Sequence, residues 1–131
     1  MEQKLMGVLI TMLLCLISVV AAVPGNAVFY ASACYQNQDK GVMITGVSDA
    51  LWDGGRACGK RYAVRCTGAT NTAPHPCRDN KEVTVTVVDY CRTPCYGLFN
   101  LYQDAFNIIA DPNAGNVKID YRQYVNVKEI N

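Results

Sequence analysis

Short stretches that alternate between apolar and polar residues are the main pattern along this chain, and they predict strands. The strongest covers residues 82–90, EVTVTVVDY, where β-branched side chains recur at every second position. Residues 116–125 also alternate, with Val117, Ile119 and Tyr121 on one face. Shorter β-prone runs lie at residues 27–31, 42–47 and 62–66.

One segment, QDAFNIIA at residues 103–110, predicts a short helix. Asp104 suits the first turn through the helix dipole, and Pro112 lies just beyond the end. Stretches rich in Gly, Pro and Asn separate the strands, and no internal repeat or long linker divides them. Many short strands with one small helix predict a single, mostly β domain that closes into a barrel.

The first 22 residues predict a secretory signal peptide. Lys4 precedes a long apolar run, and Val20 and Ala22 occupy the positions that favour cleavage after residue 22. The alternative is an uncleaved membrane anchor, since the run is near the lower limit of length for a span. Cleavage leaves one soluble, secreted, monomeric domain over residues 23–131, with its core at about 27–125.

The cysteine count and the charge limit the classes of function. Removal of the signal peptide takes away Cys15, and six cysteines in a short secreted chain predict three disulfides, although six allow fifteen pairings. They are Cys34, Cys58, Cys66, Cys77, Cys91 and Cys95.

The single histidine, His75, lies between prolines, so neither a metal site nor a cofactor is expected. A net charge of +1 does not indicate nucleic acid as a partner.

Asp89, at the end of the strongest strand, is the first candidate for chemistry. Residues two apart in a strand share a face, so the pattern places Asp89 in a row with Val83, Val85 and Val87, partly desolvated as a general acid requires. The alternative is a structural carboxylate that accepts backbone N–H bonds from the following YCRTPC turn.

The segment WDGGRACGKR is the candidate for partner binding. Trp52 lies there beside three cations, Arg56, Lys60 and Arg61. An exposed aromatic residue with neighbouring charges is typical of a recognition surface. The alternative is that Trp52 plugs one end of the barrel and the cations only solvate the loop.

The segments ALWDGGRACGKRYAVRC, VTVTVVDYC and LFNLYQDAFNIIA resemble the expansin-like domain related to family-45 endoglucanases. They are still more similar to the plant natriuretic peptides and the blight-associated proteins, from about residue 27 to residue 123. The resemblance implies a six-stranded double-psi β-barrel. It also implies pairing of Cys34 with Cys58 and of Cys66 with Cys77, which leaves Cys91 to pair with Cys95.

The resemblance also places a catalytic acid just before the helix, in a phenylalanine–aspartate–leucine motif. Here that motif is Phe99, Asn100 and Leu101, and a neutral amide has no acidic proton to transfer to a leaving group. Glycoside hydrolysis normally needs two carboxylates. A further departure is Tyr102, where relatives often have serine, which would cap the helix.

The resemblance therefore implies a non-catalytic signalling protein of the plant apoplast. Such proteins act on water and ion balance and in stress or defence, through a cell-surface receptor. The alternative is a protein that binds or loosens wall polysaccharides, and a weak glycoside hydrolase is a third hypothesis.

Overall fold

One mixed β-sheet organises the chain in the computed structural model, which describes residues 21–25 and 31–126. The strands are β1 (Ile44–Val47), β2 (Arg61–Ala69), β3 (Glu82–Tyr90), β4 (Phe99–Leu101) and β5 (Val117–Tyr124). Their order across the five-stranded sheet is β4–β1–β3–β2–β5. β1 runs parallel to β3, and every other neighbouring pair is antiparallel. β4 and β5 are thus the two edges of the described sheet.

Two short α-helices accompany the sheet in the described part of the chain. Helix α1 (Asp49–Trp52) follows β1 directly, and helix α2 (Gln103–Ile109) follows β4. In α2, Ala105 and Ile109 are fully buried, because residues four apart lie on the same helix face. That face packs on the sheet beside Val64 and Val85, which are also fully buried. The core therefore lies between α2 and the centre of the sheet.

The predicted elements agree with the structure where local pattern is strong. β3 has the predicted bounds, β5 covers residues 117–124 of the predicted 116–125, and α2 ends one residue before the predicted end. The run at 62–66 lengthens to Arg61–Ala69, and that at 42–47 shortens to Ile44–Val47. The signal peptide and most of the predicted strand at 27–31 lie outside the described residues.

The fold class agrees in its coarser features. The described residues are mostly β, with a single sheet and three disulfides, Cys34–Cys58, Cys66–Cys77 and Cys91–Cys95. These are the same pairs that the resemblance implies. The described sheet has five strands rather than the six of the full barrel, and no backbone pairing joins its edges within this part of the chain.

A β-bulge in β3 changes the direction of Asp89. Val87 pairs with Thr45, but the next residue of β1, Gly46, pairs with Asp89, so Val88 is an extra residue in β3. Successive residues of β1 face opposite sides of the sheet, which puts Asp89 on the side opposite to Val87. The predicted common face of Asp89 and the valines is therefore wrong, because the bulge reverses the alternation.

Candidate functional site

The site is an open groove of about 1410 Å³ over one side of β4, β1 and β3. Its floor contains Asn100 of β4, Gly46 of β1 and Asp89 of β3, which the register places side by side. Gly46 contributes no side chain, so the floor is open between the other two. A Cβ built on Gly46 would lie 3.6 Å from the Cβ of Asn100. The glycine thus leaves room for a ligand at the centre of the floor.

The segment 31–42 forms one wall of the groove, and Asp89 attaches it to the sheet. The Ala33 amide donates to Asp89 Oδ1 at 2.9 Å, and the Tyr90 amide donates to the same oxygen at 2.9 Å. The Cys34 amide also donates to the Val88 carbonyl at 3.0 Å, and Cys34 is tied to Cys58 by its disulfide. Asp89 therefore accepts backbone N–H groups, as the structural alternative describes, but one of the two donors, Ala33, lies in the wall and not in the YCRTPC turn.

Asn100 stands where the resemblance places the catalytic acid. Its Cα pairs with that of Gly46, whose other neighbour is Asp89. Two interstrand spacings of about 4.8 Å separate the Asn100 and Asp89 backbones. The other carboxylate that lines the groove, Asp39, accepts the Gly41 amide at 2.7 Å within the wall. The position opposite Asp89 thus carries a neutral amide instead of an acid.

An apolar cleft of about 320 Å³ lies beyond Asn100. The loop 91–98, β4, Phe106 of α2 and the start of β5 surround it. The groove and the cleft share Cys91, Asn100 and Leu101 in their linings, so they adjoin along β4. Nothing in the sequence pattern indicated this cleft, because its walls come from distant segments of the chain.

The four partner-binding candidates occupy the loop 52–61, which we call the Trp52 loop. Trp52 is half-buried and stacks on Tyr90 with ring centroids 5.1 Å apart. Arg56 is 79% exposed in its side chain and pairs with Asp53 at 3.2 Å. The burial of Trp52 is intermediate. The ring is neither fully exposed, as a binding surface would have it, nor fully buried, as a plug of the barrel would be.

The remaining two cations of the Trp52 loop are held differently. Lys60 is half-buried, and its carbonyl accepts the Val87 amide. The Arg61 guanidinium lies over the Tyr124 ring at 4.4 Å from its centroid, as a cation–π pair. Arg61 therefore contacts the edge strand β5.

Tyr90 and Asp49 form a contact that the sequence pattern does not predict. The Tyr90 hydroxyl donates a hydrogen bond to the Asp49 carboxylate at the start of α1. This bond, together with partial desolvation, raises the pKa of Tyr90 above its usual value. Tyr90 thus supports the Trp52 ring and also lines the groove. No local pattern links the two residues, since α1 precedes β3 by many positions.

No group of three His, Cys, Asp or Glu side chains among the residues that the structure describes could hold a metal ion. No helix in the same part of the chain is long and apolar enough to cross a bilayer.

The fold and the groove define an expansin-like domain, and comparison with known proteins gives the same class. A family model of the double-psi β-barrel type, described as Lytic transglycolase, matches residues 44–121. Expansin-A19 of Oryza sativa subsp. japonica is 32% identical over 76% of this chain, which spans 49% of that expansin. No solved structure gives a significant match.

Two smaller proteins are more similar to this chain than the expansin is. The putative EG45-like domain containing protein 1 of Arabidopsis thaliana is 47% identical over 85% of this chain and 91% of its own length. An EG45-like domain containing protein of Citrus jambhiri is 46% identical over 88% of this chain and 93% of its own length. The chain therefore belongs to the family of EG45-like domain proteins. This confirms the expansin-like resemblance seen in the sequence.

Proposed function

We propose that this chain is a secreted, non-catalytic signalling protein that acts through a cell-surface receptor on water and ion balance and in stress or defence. The absence of catalysis is supported by Asn100, a neutral amide at the position of the expected acid. Asp89, across Gly46, already accepts two backbone N–H groups. A single carboxylate in that position does not supply the acid and base of glycoside hydrolysis.

The observation that carries the receptor proposal is the rigidity of the Trp52 loop. The backbone amides of residues 56–60 each donate to a backbone carbonyl at 2.9–3.2 Å. The Cys34–Cys58 disulfide and the stack on Tyr90 hold the loop from two sides. The Arg56 side chain nevertheless extends into solvent. A charged loop that is ordered before binding loses little conformational entropy when a receptor engages it.

The test compares binding of the purified mature protein to plasma-membrane fractions and to insoluble wall glycans. We expect saturable binding to membranes, lost when the membranes are first treated with protease, because the partner is a protein receptor. Arg56→Glu should weaken this binding and change its salt dependence. Arg65→Glu is the matched control, since Arg65 is also exposed and ion-paired but lies on β2 outside the loop. Equal effects of the two variants, or binding to wall glycans alone, would contradict the receptor proposal.

A second candidate function, binding to wall polysaccharides, is favoured by the groove. Its lining offers many uncharged hydrogen-bonding groups, which suit the hydroxyl groups of a sugar chain. They include Gln36, Gln38, Asn100, Tyr102 and Gln103. The similarity to an expansin supports the same function.

Gly46→Val tests the groove separately from the Trp52 loop. The new side chain would stand on the floor between Asn100 and Asp89, with ordinary contacts at its Cβ of 3.5 Å and more. We expect this variant to lose binding to cellulose or xyloglucan and to keep binding to membranes. Unchanged glycan binding, with an unchanged melting temperature, would remove the groove as a glycan site.

A further inference from the structure

The groove and the cleft adjoin at Asn100, and they differ in the charge of their linings. The groove contains charged and amide side chains, whereas the residues that line the cleft include no Asp, Glu, Lys, Arg or His. Aromatic and aliphatic side chains surround the cleft instead: Leu98, Phe99, Leu101, Phe106, Val117 and Ile119. A single ligand that filled both would be a polar chain with one uncharged, apolar substituent.

We propose that the cleft is a subsite for an aryl ester carried as a substituent on a polysaccharide that lies in the groove. This inference rests on the second candidate function, polysaccharide binding. The cleft volume of about 320 Å³ is at the small end of ligand pockets, which suits one substituent rather than a chain. An acetyl group would leave most of this volume unfilled, while an aromatic ring with its acyl linker fills far more of it.

The uncharged lining favours a neutral substituent over an ionised one. A buried carboxylate needs a counter-charge or several donors, and the lining offers no cation. The amide of Asn100, at the junction with the groove, can donate a hydrogen bond to an ester carbonyl. A neutral aryl ester therefore satisfies both the apolar walls and the polar junction.

The walls of the cleft are held in place without a ligand. The Cys91–Cys95 disulfide closes its outer loop. The Asn116 Nδ2 atom donates to the Tyr96 carbonyl at 3.0 Å, which ties the same loop to the start of β5. The Tyr96 ring itself is 83% exposed and lines the cleft. It can therefore cover an aromatic substituent by stacking.

The experiment measures binding of the mature, disulfide-bonded protein to feruloylated arabinoxylan and to the same polymer after mild saponification. We expect at least about fivefold tighter binding to the esterified polymer, the size of a typical aromatic anchor. Tyr96→Ala should remove this difference and leave binding to the saponified polymer unchanged. Tyr124→Ala is the control, because Tyr124 is 43% exposed but lines neither the cleft nor the groove.

The outcomes distinguish failure of the aryl-ester subsite from failure of the polysaccharide-binding function on which it rests. Equal affinity for the two polymers would overturn the aryl-ester subsite while polysaccharide binding stands. Binding to neither polymer would overturn the subsite, and failure to bind cellulose and xyloglucan as well would overturn the polysaccharide-binding function. Retention of the ester preference in Tyr96→Ala, or its equal loss in Tyr124→Ala, would show that the cleft does not recognise the ester.

Discussion

At the scale of single residues, three neighbouring positions decide what the groove can do. Gly46 opens the floor, Asp89 ties the wall to the sheet, and Asn100 replaces an acid by an amide. The two polar side chains face the same side of the sheet, because both are paired with the same residue of β1. One substitution therefore separates this groove from a pair of carboxylates.

Asn100→Asp is predicted to create slow glycoside hydrolysis, whereas the unaltered protein is expected to show none. Two carboxylates on either side of a central strand lie closer to the wider spacing of inverting enzymes, about 6.5–9.5 Å, than to the spacing of retaining enzymes, about 5–5.5 Å. A general acid contributes about 10²–10⁴-fold to such a reaction. Release of reducing sugar from xyloglucan or cellulose measures it.

The matched control is the double variant Asn100→Asp with Asp89→Asn, which should again be inactive. Cleavage by the unaltered protein would contradict the non-catalytic proposal. Activity that persists in the double variant would show that Asp89 is not the second carboxylate.

Trp52→Ala is predicted to weaken membrane binding by more than about 1 kcal/mol, because an aromatic anchor at a binding surface contributes at least that much. Loss of the stack on Tyr90 should also reduce the free energy of unfolding by about 0.5–1.5 kcal/mol. Thermal unfolding and membrane binding are measured on the same preparations. Trp52→Phe, which keeps a stacking ring, is the control for stability. A fall in melting temperature that accounts for the whole binding loss would assign Trp52 to the core alone.

At the scale of elements, helix α2 is held by packing rather than by its own ends. Ala105 and Ile109 are fully buried, whereas the N-cap residue, Tyr102, makes no side-chain hydrogen bond to the first turn. Tyr102 has the extended backbone that suits a cap, with φ −61° and ψ 147°. The helix thus begins at a position whose conformation is right but whose side chain lacks a capping oxygen within reach.

Tyr102→Ser is predicted to stabilise the protein. A serine hydroxyl at this position can accept a backbone N–H of the first turn, which contributes about 0.5–1 kcal/mol. The melting temperature should rise by about 2–6 °C. Tyr96→Ser is the matched control, because it makes the same exchange at an exposed position outside any helix. A melting temperature that falls equally in both variants would show that the lost ring outweighs the cap.

At the scale of the whole molecule, three disulfides supplement a modest core. They join residues 24, 11 and 4 positions apart, and two of them border the proposed sites. Cys34–Cys58 links the groove wall to the Trp52 loop, and Cys91–Cys95 lines the cleft. Their number fits folding in an oxidising compartment.

Removal of each disulfide by paired Cys→Ser substitution is predicted to cost stability in the order of loop length. Each disulfide lowers the entropy of the unfolded chain. The loss of stability expected on removal is about 3.5 kcal/mol for Cys34–Cys58, about 3 for Cys66–Cys77 and about 2 for Cys91–Cys95. Chemical denaturation of the three variants measures the order. A larger loss for Cys91–Cys95 than for Cys34–Cys58 would show that native contacts, not the unfolded chain, dominate the effect.

The sequence by itself determined the elements whose signals are local. Alternation in residues 82–90 and 116–125 reflects one buried and one exposed face, so β3 and β5 could be predicted closely. The helix at 103–109 followed from local pattern and its neighbouring proline. The absence of an acid at Asn100 is also a property of the sequence once the family motif is located. The three-residue strand β4 could not be predicted, because it exists only through its pairing with β1.

The tertiary structure alone decided how these residues meet. Strand register brought Asn100, Gly46 and Asp89 together, and the extra residue Val88 turned Asp89 away from the valine row. The stack of Trp52 on Tyr90 and the cleft beside β4 also join distant segments. Register and bulges depend on packing between elements, and a shift of one residue reverses every side chain that follows. Local sequence patterns carry no information about such shifts.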